Sequence, residues 1–184
     1  MAAFAEVTRI GHGHGGTGWE LGRCLWHQAK TKSGQDRNAA MREPRVDDEI
    51  FHLVAGLDPA RPRRRFLWGV SRVAEPFRVV DSPPDPGDWP GRGEYYRIEL
   101  KDTARVEPPY PLQEIAERER DLIMTEIGED RVKYYLYCPR GDGFQITQGI
   151  YVTRLSSGLA DAFREVVAGQ KIRIAPSDRR TTRK

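Results

Sequence analysis

The sequence predicts one α+β domain built around a strongly curved, barrel-like sheet. Many short strand-like segments follow one another with few helices between them, which argues against a doubly wound parallel sheet. Strong helical amphipathicity is confined to two stretches in the second half of the chain. With 184 residues and 38% hydrophobic content, the chain can build a single core. That domain is expected over residues 1–170, with 171–184 as a basic flexible tail, and no internal repeat is present.

The elements follow in order. An opening strand is expected from Phe4 to Ile10, then a glycine-rich loop, then a short strand around Gly22 to Trp26. "QDRNAAMRE" suits a brief helix, with Ser33 available as its cap and Pro44 beyond its end. "DEIFHLVAG" and "RRFLWGVSRVAEPFRVV" carry the β-branched and aromatic residues of two central strands, joined by a charged turn at Leu57 to Pro62. "SPPDPGDWPGRG", Ser82 to Gly93, holds too much proline and glycine to continue a strand and forms a loop that carries Trp89. In "EYYRIELK", Tyr96, Ile98 and Leu100 alternate with Tyr95, Arg97 and Glu99, as in a half-buried strand. "PLQEIAERERDLIMTEI" places Leu112, Ile115, Ala116, Leu122, Ile123 and Ile127 near one helical face, with Gly128 as its stop. "KYYLYC" and "FQITQGIYVTRL" are strand-like. A last helix, "SSGLADAFREVVAG", carries Leu159, Phe163, Val166 and Val167 behind a serine cap.

Composition excludes several classes. No apolar run is long enough for a transmembrane helix, and "MAAFAEVTRI" lacks the pattern of a signal peptide, so a cytoplasmic protein without membrane contact is expected. Cys24 and Cys138 stand apart, with no CxxC pair to suggest a zinc site or a disulfide framework. The net charge of +3 is modest, but arginine clusters at Arg61 to Arg65 and in the closing "RRTTRK" permit a polyanionic partner. Ser71, Ser82, Ser156 and Ser157 lack a GxSxG context, and no catalytic constellation emerges. The chain is therefore not expected to be an enzyme.

The stretch "GHGHGGTGWELGRCLWHQ" is the most distinctive. Gly11, Gly13 and Gly16 satisfy GxGxxG after a strand, but a dinucleotide site needs a helix next, and "TGWELGRCLW" has no helical period. No cofactor is expected. His12, His14 and His27 lack the patterned carboxylate or cysteine partners of a metal site, so none is expected there. Glycines in such a loop allow backbone N–H groups to come close to a planar ring, and Trp26 lies at its far end.

"GWELGRCLW", "DDEIFHLV", "LWGVSRV", "DWPGRGEYYRIEL" and "TQGIYVTRL", in that order, resemble an EVE domain of the PUA-like superfamily, which also holds YTH and ASCH domains. The similarity is to the EVE-like modules of bacterial modification-dependent restriction systems and covers the chain from the first strand to the last helix. It implies a PUA-like pseudo-barrel of mixed and antiparallel strands that accepts a flipped, modified base in an aromatic cage. By position, Trp26 and Trp89 resemble the two cage tryptophans. His27, His14 and Thr17 are then candidates for hydrogen bonds to the base edge, and Trp19 either lines the pocket or packs beneath the loop. YTH domains supply asparagines where this chain has His12, His14 and Thr17, a departure that weighs against N6-methyladenine. The resemblance implies 5-methylcytosine or 5-hydroxymethylcytosine, in DNA rather than RNA, with a separate nuclease effector as a possible partner. Arg63, Arg64, Arg65 and Arg92 could contact phosphate, giving salt-sensitive affinity. An RNA modification reader and an ASCH-like ribonuclease are the alternatives.

Overall fold

The computed structural model describes residues 1–10, 21–30, 34–36, 38–81, 93–129, 135–147 and 149–174. Nine strands and three α-helices are described: β1 (Ala3–Arg9), β2 (Cys24–Gln28), β3 (Glu49–Ala55), β4 (Arg65–Val80), β5 (Tyr95–Pro111), α1 (Leu112–Arg118), α2 (Arg120–Glu129), β6 (Tyr137–Arg140), β7 (Gly143–Ile146), β8 (Val152–Arg154), α3 (Ser157–Gly169) and β9 (Lys171–Ile174). The main sheet has the order β2-β5-β4-β3-β1-β8, with β9 added beside β5, and β6 and β7 form a separate hairpin. β1 and β3 run parallel, whereas the other neighbours run antiparallel. The expected α+β class with mixed strands is observed, as a curled half-barrel flanked by short helices.

Curling comes from β4 and β5, whose pairing shifts register between Leu67 and Gly69, Val70 and Arg72, Val73 and Glu75, and Glu75 and Arg78. Each irregularity adds local twist, so two very long strands bend round instead of lying flat. Gly69 sits at one of them. A Cβ built there would lie 2.5 Å from the Ala104 carbonyl oxygen and 3.3 Å from the Arg105 Cα, so β4 and β5 approach more closely than any side chain permits. Gly69→Ala is expected to lower the unfolding free energy by about 1–3 kcal/mol, the usual range for overpacking, as read by urea denaturation.

Alternation along the strands separates two faces. Ala3, Ala5 and Val7 of β1 share a core with Phe51 and Leu53 of β3, Leu67 of β4 and the apolar stripes of α1 and α3. Phe51 and Phe163 meet there edge to face, 5.3 Å between centroids. The opposite face holds Phe4, Ile50, Val73, Ile98 and Leu25, with Met41 and Tyr151 closing over them. α3 begins as expected, with Ser156 Oγ accepting the Leu159 N–H at 3.1 Å. Arg164 ties α3 to the start of β3 through Glu49, at 2.6 and 2.8 Å.

Several boundaries differ from expectation. Residues 171–174, read as the start of a flexible tail, form β9: β2 pairs β5 only at Tyr95 to Glu99, and the edge left open at Ala104 to Glu107 is taken by Lys171 to Ile174. β5 runs on to Pro111 instead of ending near Lys101, because its second half pairs with β4 as far as Phe66. The long helix breaks at Glu119, whose φ of −97° and ψ of 23° leave the helical region, so α1 and α2 form separate segments. The brief early helix reduces to a 3₁₀ turn at Ala39–Arg42, and "FQITQGIYVTRL" divides into β7 and β8. Among the described residues no helix is long and apolar enough to cross a membrane.

Candidate functional site

β2 is short and carries two distinct faces. Leu25 joins the core with Ile98, whereas Cys24 and Trp26 point the other way and form a small cluster with Tyr95, against which Val80 packs. The Trp26 and Tyr95 rings meet edge to face, 5.6 Å apart at 61°, a favourable arrangement for two quadrupoles. Tyr95 is the register partner of both Gln28 on β2 and Val80 on β4, so the cluster stands at the mouth of the β4–β5 hairpin. By chain connectivity the segment joining those strands, which carries Trp89, is tethered at this cluster. Trp26 itself is wholly buried. A base can stack on it only if the groups covering it give way.

His27, next in the chain, faces away from Trp26. Its ring lies 5.0 Å from that of Tyr151, and its Nδ1 lies 2.7 Å from the side-chain amide of the buried Asn38. Only its backbone is shared with the Trp26 side of the strand. Arg63 is exposed, Arg64 pairs with Glu114 at 3.6 Å, and Arg65 is half-buried with its Nε lacking a hydrogen-bond partner among the described residues. Loss of hydration lowers the pKa of the Arg65 guanidinium. These three stand at the start of β4, and the Trp26 cluster stands at its end. Nearer to Trp26 are its register partner Arg97 and the neighbouring Arg78, both paired with Glu99 at 2.6 and 2.5 Å. Trp89, His14, Thr17, Trp19 and Arg92 lie outside the described residues, as does His12.

Burial also sets the chemistry of Cys24. Desolvation raises its thiol to about 12, with the partial opposition of Arg97. The folded thiol therefore stays protonated well above pH 9, whereas the unfolded one ionises near 9.0. This contribution to stability is whole below pH 9 and is lost as pH rises towards 12. At pH 8 a disulfide exchange reagent is expected to modify Cys24 only after denaturant is added, while the less buried Cys138 reacts in the native state.

A second feature has no counterpart in the expectations from sequence. Glu6, His52 and Ser71 are polar residues of β1, β3 and β4, each no more than 1% exposed. Glu6 and His52 are register partners, and Glu6 Oε2 lies 2.5 Å from His52 Nδ1. His52 Nε2 lies 2.7 Å from Ser71 Oγ, which lies 2.9 Å from Thr103 Oγ1, which in turn lies 2.7 Å from the Gly22 carbonyl oxygen. On the other side, Tyr151 donates to Glu6 Oε1 at 3.0 Å and accepts the Trp26 backbone N–H at 3.2 Å. The chain of bonds thus leaves Trp26, crosses the sheet and returns to Gly22, four residues before it.

Counting hydrogens fixes the direction of these bonds. The three contacts from His52 Nε2 to the Gly22 carbonyl need three hydrogens, but the two hydroxyls supply one each and a carbonyl supplies none. The third must be on Nε2. His52 therefore donates to Ser71, Ser71 to Thr103, and Thr103 to Gly22. One more hydrogen sits between Nδ1 and Glu6, on either atom, and in both cases the pair carries no net charge. That neutrality suits side chains this deeply buried. Tyr151 conforms: burial, then the neighbouring Glu6, raises its phenol well above the usual range, and it stays a donor.

Glu6, His52 and Ser71 have the atom order of an activated serine. A nucleophile must meet its substrate, however, and Ser71 is enclosed, its oxygen engaged by both His52 and Thr103. The arrangement acts as a tie between strands. Beside it Trp68 is buried, with the Arg105 guanidinium 5.1 Å above its ring and His52 at its edge, 5.8 Å away.

No protein-family model and no curated protein matches the chain. Among solved structures it is similar to the NMR structure of Rpa0253 from Rhodopseudomonas palustris, a Northeast structural genomics consortium target, with 11% identity and a TM-score of 0.48 over 93% of this chain and 96% of that one.

Proposed function

We propose that the chain is a nucleic-acid-binding module of the EVE type that takes one flipped, modified base against Trp26. The modification is 5-methylcytosine or 5-hydroxymethylcytosine in DNA, and a separate nuclease is the effector. The observation that carries this reading is the aromatic pair of Trp26 and Tyr95, set apart from both main cores at the point where the segment with Trp89 is tethered. Thr103 anchors Gly22, two residues before the same strand begins.

Magnitudes limit how such a site works. Extruding a base costs a few kcal/mol, and stacking on one aromatic ring returns about 1–3 kcal/mol, so a second ring is needed. A methyl group adds only about 0.8 kcal/mol by burial, so reading it requires a close wall and hydrogen bonds to the base edge. The test is equilibrium binding to matched oligonucleotides, in DNA and RNA, carrying cytosine, 5-methylcytosine, 5-hydroxymethylcytosine, adenine or N6-methyladenine. Preference for a modified cytosine in DNA is expected. Equal affinity across the panel, falling uniformly with salt, would leave a nonspecific basic surface and remove the reading.

A further inference from the structure

From the closed path of hydrogen bonds we infer that His52, with Glu6, Ser71 and Tyr151, is a positioning device that holds both ends of the Gly22 to Trp26 segment. This rests on the reading of Trp26 as the base-binding ring. The segment is only five residues long, yet its first carbonyl and its last N–H are gripped from the same imidazole in opposite directions: through Ser71 and Thr103 to Gly22, and through Glu6 and Tyr151 to Trp26. Among the described residues β2 is an edge strand, paired on one side by β5. The Trp26 N–H therefore finds its acceptor in Tyr151. Gly22 is fitted to its anchor: its φ is +84°, and a Cβ there would lie 2.3 Å from Thr103 Cγ2. A side chain at that position would break the contact that Thr103 makes with the carbonyl.

A tie of this kind fixes where Trp26 sits without touching a ligand. Ser71→Ala cuts the arm to Gly22 and Tyr151→Phe cuts the arm to Trp26, each with little change in volume. Two readouts are taken on both variants and on Phe163→Leu, a core substitution on the helix-bearing face chosen to match their loss in melting temperature. The first is the ratio of affinities for 5-methylcytosine and cytosine DNA. We expect a fall of about tenfold in each arm variant, with salt-dependent affinity for unmodified DNA unchanged, and no change of ratio in Phe163→Leu. The second is amide exchange of Trp26 by NMR, expected to quicken at least tenfold in Tyr151→Phe relative to the Leu53 amide of β3. An unchanged ratio in both arm variants, with a wild-type protein that discriminates, overturns the positioning role. A wild-type protein that does not discriminate removes the base-reading function instead. The tie is then judged on Trp26 exchange alone, and unchanged exchange refutes it.

Discussion

Glu6→Gln is expected to leave the unfolding free energy within about 1 kcal/mol of wild type, while Glu6→Ala lowers it by about 3–5 kcal/mol. The contrast follows from the hydrogen count. A glutamine keeps its oxygen for the Tyr151 hydroxyl and turns its NH2 to His52 Nδ1, and the Nε2–H that starts the arm to Ser71 remains in place. Alanine removes an acceptor from Tyr151 and a partner from His52, both buried. Because whole domains are stable by only about 5–15 kcal/mol, the alanine variant should be near the limit of folding at growth temperature. Urea denaturation of the three proteins decides the matter. A glutamine variant as unstable as the alanine one would mean that the pair carries a net charge and that the bond directions are otherwise.

Trp26→Ala carries the other large effect. Removing a fully enclosed indole is expected to cost about 3–5 kcal/mol of stability. It should also abolish preference for modified DNA, since stacking supplies about 1–3 kcal/mol per ring. Trp26→Phe separates the two: a smaller ring keeps a face for stacking and most of the packing against Tyr95, so partial preference should survive with a milder loss of stability. Calorimetric melting combined with oligonucleotide titration measures both. If Trp26→Phe melts lower yet discriminates as wild type does, Trp26 is core material and the base binds elsewhere.

Much of the fold can be read from hydrophobic periodicity. Ala3, Ala5 and Val7 alternate with Phe4, Glu6 and Thr8, and the two sets do face different layers. Leu159, Phe163 and Val166 fall on one face of α3 and pack as their spacing implies. Less legible were features that depend on partners far away in the chain. The open edge of β5 cannot be known until β2 is seen to be short, so β9 was invisible in "KIRI". The Glu6, His52 and Ser71 tie is a similar case: its members are 46 and 19 residues apart, and no local motif joins them. A signal existed even so. A carboxylate, an imidazole and a hydroxyl each stand beside an apolar neighbour in a strand-like run, and such polar residues, once buried, must find partners. Trp26 shows the reverse limit, since a ring in a strand reads equally well as wall or as core.

The place of β1 between β3 and β8 has a consequence for biosynthesis. Its parallel partner lies more than forty residues downstream, and the hydroxyl that meets Glu6 belongs to Tyr151, 145 residues away. A nascent chain emerging from the ribosome therefore cannot complete this layer until nearly all of these strands have been translated. Until then Glu6 and His52 remain hydrated, and their desolvation comes late, together with the docking of the last strand and helix. Chaperone dependence should accordingly persist until Tyr151 has emerged, and ribosome-bound chains halted before Tyr151 clears the exit tunnel should be sensitive to protease along β1.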